Sequence, residues 1–126
     1  MTKKALQPAS MAKPANYSLG VEASGRMVFV AGLVAVDGQG KTVAPGDIRG
    51  QTRQVFANIE KVLAEAGATR ADIVKITVYL TDFKNYAGMS EIRTEFFGAP
   101  YPASCAVEAR LLNPEWLVEI DAIAVV

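Results

Sequence analysis

An amphipathic helix followed almost at once by a β-rich run is the feature that most limits what this chain can fold into. Between Asp47 and Ala66, the residues Ile48, Val55, Ile59, Val62, Leu63 and Ala66 recur at helical spacing and form one apolar stripe, with Arg53, Glu60 and Lys61 on the polar side. Asp47 is a fitting N-cap and Gly67 a fitting stop. Beyond Thr69 to Asp72, the run Ile73 to Leu80 is rich in β-branched residues and puts Val74, Ile76, Val78 and Leu80 on one apolar face. A helix cannot hide such a stripe alone, so the pattern predicts packing across a sheet made by the flanking strands.

The remaining segments supply those strands. Residues 1–16, with Pro8 and Pro14 and no sustained period, are expected to be largely irregular. Tyr17 to Glu22 and Met27 to Ala31, separated by Ser24-Gly25, read as a hairpin. A second helix is expected from about Lys84 to Phe97, with Tyr86, Met89, Ile92, Phe96 and Phe97 on its buried side, and Gly98-Ala99-Pro100 ends it. Two last strands follow, Ala103 to Leu111 and Leu117 to Val125, joined through Asn113-Pro114. In the first, Ala103, Cys105, Val107 and Ala109 alternate with Ser104, Ala106, Glu108 and Arg110, and Cys105 reads as a buried strand cysteine. In the second, Glu119 and Asp121 share one face, opposite Val118, Ile120, Ala122 and Ala124. The sum is an α+β domain spanning residues 1–126.

Charge and composition narrow the function classes. Thirteen basic and thirteen acidic residues cancel, so no global field favours nucleic acid or an anionic membrane. Histidine is absent, which removes the commonest neutral-pH base and metal ligand. Acid–base work falls to carboxylates, tyrosines, backbone groups or water, and no metal or organic cofactor is expected. A single cysteine allows no internal disulfide. Neither a transmembrane run nor a signal-peptide segment is visible, and the expected location is cytoplasmic. The glycines are scattered and form neither GxGxxG nor a P-loop.

The closing segment YPASCAVEARLLNPEWLVEIDAIAVV resembles that of the Rid family, also called the YjgF/YER057c/UK114 family. Tyr17-Ser18, Val30-Ala31-Gly32, Gln54 to Leu63, and Ile76 to Phe83 carry the same resemblance, which extends over about residues 7–126. It implies a chorismate-mutase-like fold: a six-stranded mixed sheet with two helices on one face. Three copies would associate as a homotrimer around a central barrel, with small-molecule clefts between neighbouring subunits.

The resemblance also implies a chemistry, the hydrolysis of short-lived enamines or imines to carbonyl products and ammonia. Family members usually read Pro-Ala-Arg where this chain has Pro102, Ala103 and Ser104. In them the guanidinium clamps a substrate carboxylate, while backbone groups and a late glutamate position water. Matched residue by residue, the clamp position falls on Ser104, the glutamate on Glu119, an N-terminal cleft tyrosine on Tyr17 and a close-approach backbone position on Gly32. The family's cysteine two residues beyond the arginine becomes Ala106.

Each assignment has a plainer counterpart: a buried polar role for Glu119, a core role for Tyr17, a turn or packing requirement at Gly32. Serine offers a short neutral hydroxyl where arginine offers a charged fork. Losing one hydrogen bond to a charged group weakens carboxylate binding by roughly 10 to 150-fold. Arg110 shares the Ser104 side by alternation, but six strand residues span about 20 Å, too far to restore the clamp directly. Two main readings follow: a deaminase with altered carboxylate recognition, using Glu119 to activate water, or a non-catalytic metabolite-binding or regulatory protein using the same cleft. RNA cleavage, a third association of the family, gains little from a neutral chain without a basic-aromatic strip.

Overall fold

A computed structural model describes residues 2–126. The elements, in chain order, are β1 (Thr2–Leu6), β2 (Gly20–Ser24), β3 (Met27–Val34), α1 (Ile48–Glu65), β4 (Ile73–Leu80), α2 (Tyr86–Phe97), β5 (Ala103–Glu108) and β6 (Val118–Val125). Short 3-10 turns at Arg70–Asp72 and Phe83–Asn85 lead into β4 and α2. The α+β reading stands, with six strands and two helices. The strands hydrogen-bond as a four-stranded mixed sheet, in the order β3-β6-β4-β5, and a separate β1–β2 ribbon. No helix of the described residues is long and apolar enough to cross a membrane.

Two N-terminal expectations are corrected by this pairing. Residues 2–6 form a strand rather than an irregular stretch, and β2 pairs antiparallel with β1 instead of closing a hairpin with β3. β3 pairs instead with β6. The alternation that marks a strand names no partner, and here the chain turns at Ser24-Gly25 without the two strands sharing a ladder.

Helix α1 begins and ends as its caps dictate. The Asp47 carboxylate accepts a hydrogen bond from the Gly50 backbone N–H, satisfying an amide that has no partner within the helix. At the other end Gly67 adopts φ 69°, and the amides of Gly67 and Ala68 donate to the carbonyls of Ala64 and Leu63, closing a Schellman motif. The buried stripe runs through Thr52, Val55, Phe56, Ile59 and Leu63. Val62 lies at its edge and is 40% exposed. Phe56 stacks on Phe96 of α2 with ring centroids 4.3 Å apart, and meets Phe97 edge-on at 5.4 Å. The two helices thus lock together over one side of the sheet.

The covered sheet face is supplied by Val30, Ile73, Ile76, Val78, Leu80, Val118, Ile120, Ala122 and Ala124, all buried. Ile73 takes the place expected of Val74. Between Ile73 and Lys75 the β4–β6 register shifts by one residue, a bulge that turns Val74 out of the alternation. The opposite face carries Met27 and Phe29, 56% and 68% exposed, together with exposed Cys105. The expected burial of Cys105 is therefore reversed. Cys105 pairs with Thr77 and Ser104 with Ile76, so it is the serine that follows buried Ile76 to the helix side.

Candidate functional site

Ser104 and Tyr17 meet at one hollow beneath α2. The N-terminal segment is tied to the start of β5 by Ser18, whose amide donates to the Pro102 carbonyl at 3.0 Å and whose hydroxyl donates to the Tyr101 carbonyl. Tyr17 is thereby held beside Ser104. Together with Phe83, Tyr86, Arg93 and Ala106 they line a cavity of about 260 Å³, just below the usual size range of a ligand site.

Arg93 is the residue that sequence reasoning missed. It stands four residues beyond Met89 and seven beyond Tyr86, on the buried stripe of α2, and is only 2% exposed. Its Nη1 donates to Ser104 Oγ at 3.1 Å. Its Nη2 donates to Asn16 Oδ1 and Tyr86 OH, both at 3.2 Å, and to Ser90 Oγ at 3.3 Å. Asn16 is oriented for this by its own amide, which donates to Ser90 Oγ and Thr94 Oγ1. The buried Nε finds no partner.

All of these acceptors are neutral. Arg49, Arg53 and Arg70 pair with Glu91, Glu95 and Glu60, yet among the described residues no carboxylate lies within ion-pair distance of Arg93. A buried cation without an anion is a costly arrangement. An arginine therefore does stand at Ser104, but it comes from the helix of the same chain. Arg110 does not approach this place, and lines a separate hollow with Thr81, Glu108 and Asn113.

Gly32 and Glu119 form a second group. The β3–β6 register passes from Val30–Ala122 to Leu33–Ile120, so Ala31 and Gly32 together oppose Asp121 in a β-bulge. Glu119 folds over the bare α-carbon of Gly32. A Cβ there would overlap the Glu119 carboxylate, with its Cδ only 2.9 Å away. Tyr79 lies opposite Glu119 across β4 and β6. The negative charge of Asp121 first, then burial and Glu119, raises the Tyr79 phenol above 10.0, so it stays protonated at neutral pH. The Asp121 carboxylate also accepts from the Thr77 amide at 3.1 Å.

The four expected site residues thus fall into two pairs, Tyr17 with Ser104 and Gly32 with Glu119. A single chain does not bring the pairs together. Ser104 shares the helix side with Ile76, whereas Glu119 shares the open side with Tyr79, and β4 separates their strands.

Comparison with known proteins places this arrangement among relatives. The endoribonuclease L-PSP family model matches residues 7–126. A RutC family protein of Pyrococcus abyssi is 40% identical over 125 residues, covering 98% of each chain. The crystal structure of a Rid-family protein of unknown function from Yersinia pestis superposes with a TM-score of 0.87 at 36% identity, covering all of both chains. A YjgF/YER057c/UK114 family member from Mycobacterium tuberculosis gives a TM-score of 0.71 at 37% identity, covering 87% of this chain and 86% of that one. Matches of this length and identity, on a fold with the same helices and strands, show that the chain belongs to the Rid, or YjgF/YER057c/UK114, family.

Proposed function

We propose that this protein hydrolyses small reactive imines or enamines to a carbonyl product and ammonia, in a cleft completed when copies of the chain associate. The observation that carries the reading is the contact of Glu119 with Gly32 at the bulge. It sets a half-buried carboxylate beside backbone that has left the regular ladder, a fitting place to hold a water molecule. The open sheet face on which Glu119 stands also exposes Met27 and Phe29, an apolar surface suited to a neighbouring copy.

In the proposed reaction Glu119 takes a proton from water as the oxygen attacks the imine carbon, and returns it to the imine nitrogen, which becomes an amine. The resulting carbinolamine collapses as Glu119 takes its hydroxyl proton and passes it to the departing nitrogen, so that the C–N bond breaks, the carbonyl forms and ammonia leaves. Tyr17 and Ser104, contributed from the other pair, orient the substrate. The neutral Tyr79 phenol lies opposite Glu119 and is hydrogen-bonded to Asp121.

Ammonia release from imines generated freshly from amino acids tests the proposal. Glu119→Gln should slow release by about 100-fold, the usual scale for losing a positioned base. No acceleration of either charged or uncharged imines by correctly assembled protein would reject it. The competing reading, ligand binding without turnover, is favoured by the serine at position 104 in place of the arginine usual in the family. Stoichiometric binding without ammonia release would select it.

A further inference from the structure

We infer that Gln51 and Asn58, two amide side chains on one face of α1, are positioning residues that hold the sheet corner where Glu119 meets Gly32. The inference rests on the reading that Glu119 activates water, and it adds the groups that set where the carboxylate stands. Neither side chain touches substrate in this reading. Each acts through the end of one strand.

Helical geometry places the two side chains alike. They stand seven residues apart on α1, two turns, so they project from the same side with roughly 10 Å between them along the axis. Gln51 is fully buried, and every hydrogen-bonding group of its amide is engaged. Its Nε2 donates to the Glu115 carbonyl at 2.9 Å and the Ala44 carbonyl at 3.3 Å, and its Oε1 accepts from the Leu117 amide at 2.9 Å. Asn58 Nδ2 donates to the carbonyls of Val34 at 3.1 Å and Val36 at 2.9 Å, while its Oδ1 accepts from Gln54 Nε2 at 2.9 Å. One amide thus grips the approach to β6 and the other the exit of β3. With donors and acceptor all matched, neither amide can turn over without losing bonds.

The strands need this hold at that corner. On the Glu119 side of the bulge, β3 keeps only the pairs Leu33–Ile120 and Val34–Glu119 among the described residues. β6 itself begins at Val118, one residue before Glu119. Strand ends held by few bonds open most readily. Val34 is both the partner of Glu119 in the sheet and an acceptor for Asn58, so the helix reaches the carboxylate's neighbourhood through a single residue. Leu117 is bound from two sides, its amide to Gln51 and its carbonyl to the Thr81 amide. A tie needed only for stability could be apolar, as Val55, Ile59 and Leu63 are on the same helix. Burying an amide costs desolvation that its bonds must offset. What directional bonds add is a fixed place for the two strand ends.

Gln51→Leu and Asn58→Leu keep the bulk and remove the bonds. With freshly generated imines each should lower kcat by about 10-fold and leave KM within about 2-fold, since a displaced carboxylate loses rate before the substrate loses affinity. In a Glu119→Gln background the same changes should slow ammonia release by less than about 2-fold further. A loss that multiplies in that background, or an unchanged kcat, would overturn the proposal. NMR gives a reading that needs no turnover. The Gly32 amide resonance should shift in both leucine variants and in Glu119→Gln, because it reports the carboxylate packed over it. A Gly32 resonance unmoved by the leucine changes, in protein whose assembly and melting are intact, would overturn the proposal whether or not imines are hydrolysed. Should a leucine variant fail to fold, Gln51→Ser or Asn58→Ser leaves room for water to satisfy the freed carbonyls and is read in the same two ways. A wild type that releases no ammonia while the variants show the Gly32 shifts rejects the deaminase and supports the positioning.

Discussion

Replacing Gly32 by alanine isolates the contact between the β3 bulge and Glu119. The new Cβ meets the Glu119 carboxylate at once, with Cδ at 2.9 Å and Cγ at 3.2 Å, and every one of the nearest atoms belongs to that side chain. Gly32 does not require a positive φ, so the backbone accepts alanine and the strain falls on the Glu119 rotamer. Overpacking of this kind costs about 1 to 3 kcal/mol. The lower unfolded-state entropy of alanine returns about 0.4 to 1 kcal/mol, leaving a net loss between roughly 0 and 2.6 kcal/mol. Catalysis should suffer more. Clearing the overlap moves the carboxylate by about 1 Å, a displacement that commonly lowers rate by about 100-fold. Thermal melting and ammonia release from fresh imines, measured on Gly32→Ala, Glu119→Gln and the double variant, read both effects. The double variant should be little slower than Glu119→Gln alone, because the same group has been disabled twice. Rate losses that multiply, or an alanine variant as active as wild type, would refute the idea that Gly32 acts by making room for Glu119.

Three further outcomes follow from other contacts. Ser104→Arg, which restores the usual family residue, should lower stability by about 1 to 3 kcal/mol, because it places a second cation against buried Arg93; Arg93→Gln in the same chain should recover part of the loss in a urea titration. Phe56→Ala removes the ring that stacks between the helices at 4.3 Å and should cost about 3 to 5 kcal/mol in the same assay. Asp37 accepts from the amides of Lys41 and then Gln39, bonds that hold its carboxyl below 3.8 in the folded state. Its contribution is therefore present above the unfolded pKa and lost as pH falls through the lower folded value. Asp37→Ala should melt below wild type at pH 7, with the difference shrinking as the buffer is taken below about pH 4.

What the sequence disclosed and what it hid divide along physical lines. The bounds of α1 and β4 were legible because caps and β-branched runs are local, and the alternation of β6 sorted Glu119 and Asp121 from the core. Val74 was misplaced because a bulge leaves no mark in hydrophobic period. Cys105 was misplaced because both faces of β5 mix small and apolar residues, and the inward face is the one that meets Arg93. β1 was missed because a polar Lys3-Lys4 strand is recognisable only from its pairing with Glu22 and Ala23. The largest omission, Arg93, had a faint signal in its position on the apolar stripe of α2. Arginine ordinarily reads as solvent-facing, and the partners that bury it, Asn16 and Ser104, come from distant parts of the chain.

The strand order β3-β6-β4-β5 has a bearing on how the molecule is made. The strand that joins β3 to β4 is β6, the sixth in chain order, so residues up to 117 can emerge from a ribosome without being able to complete the sheet. Until Val118–Val125 arrives, two apolar strands present open edges. Synthesis therefore passes through a stage when the helices can already form locally but the sheet they cover lacks its centre.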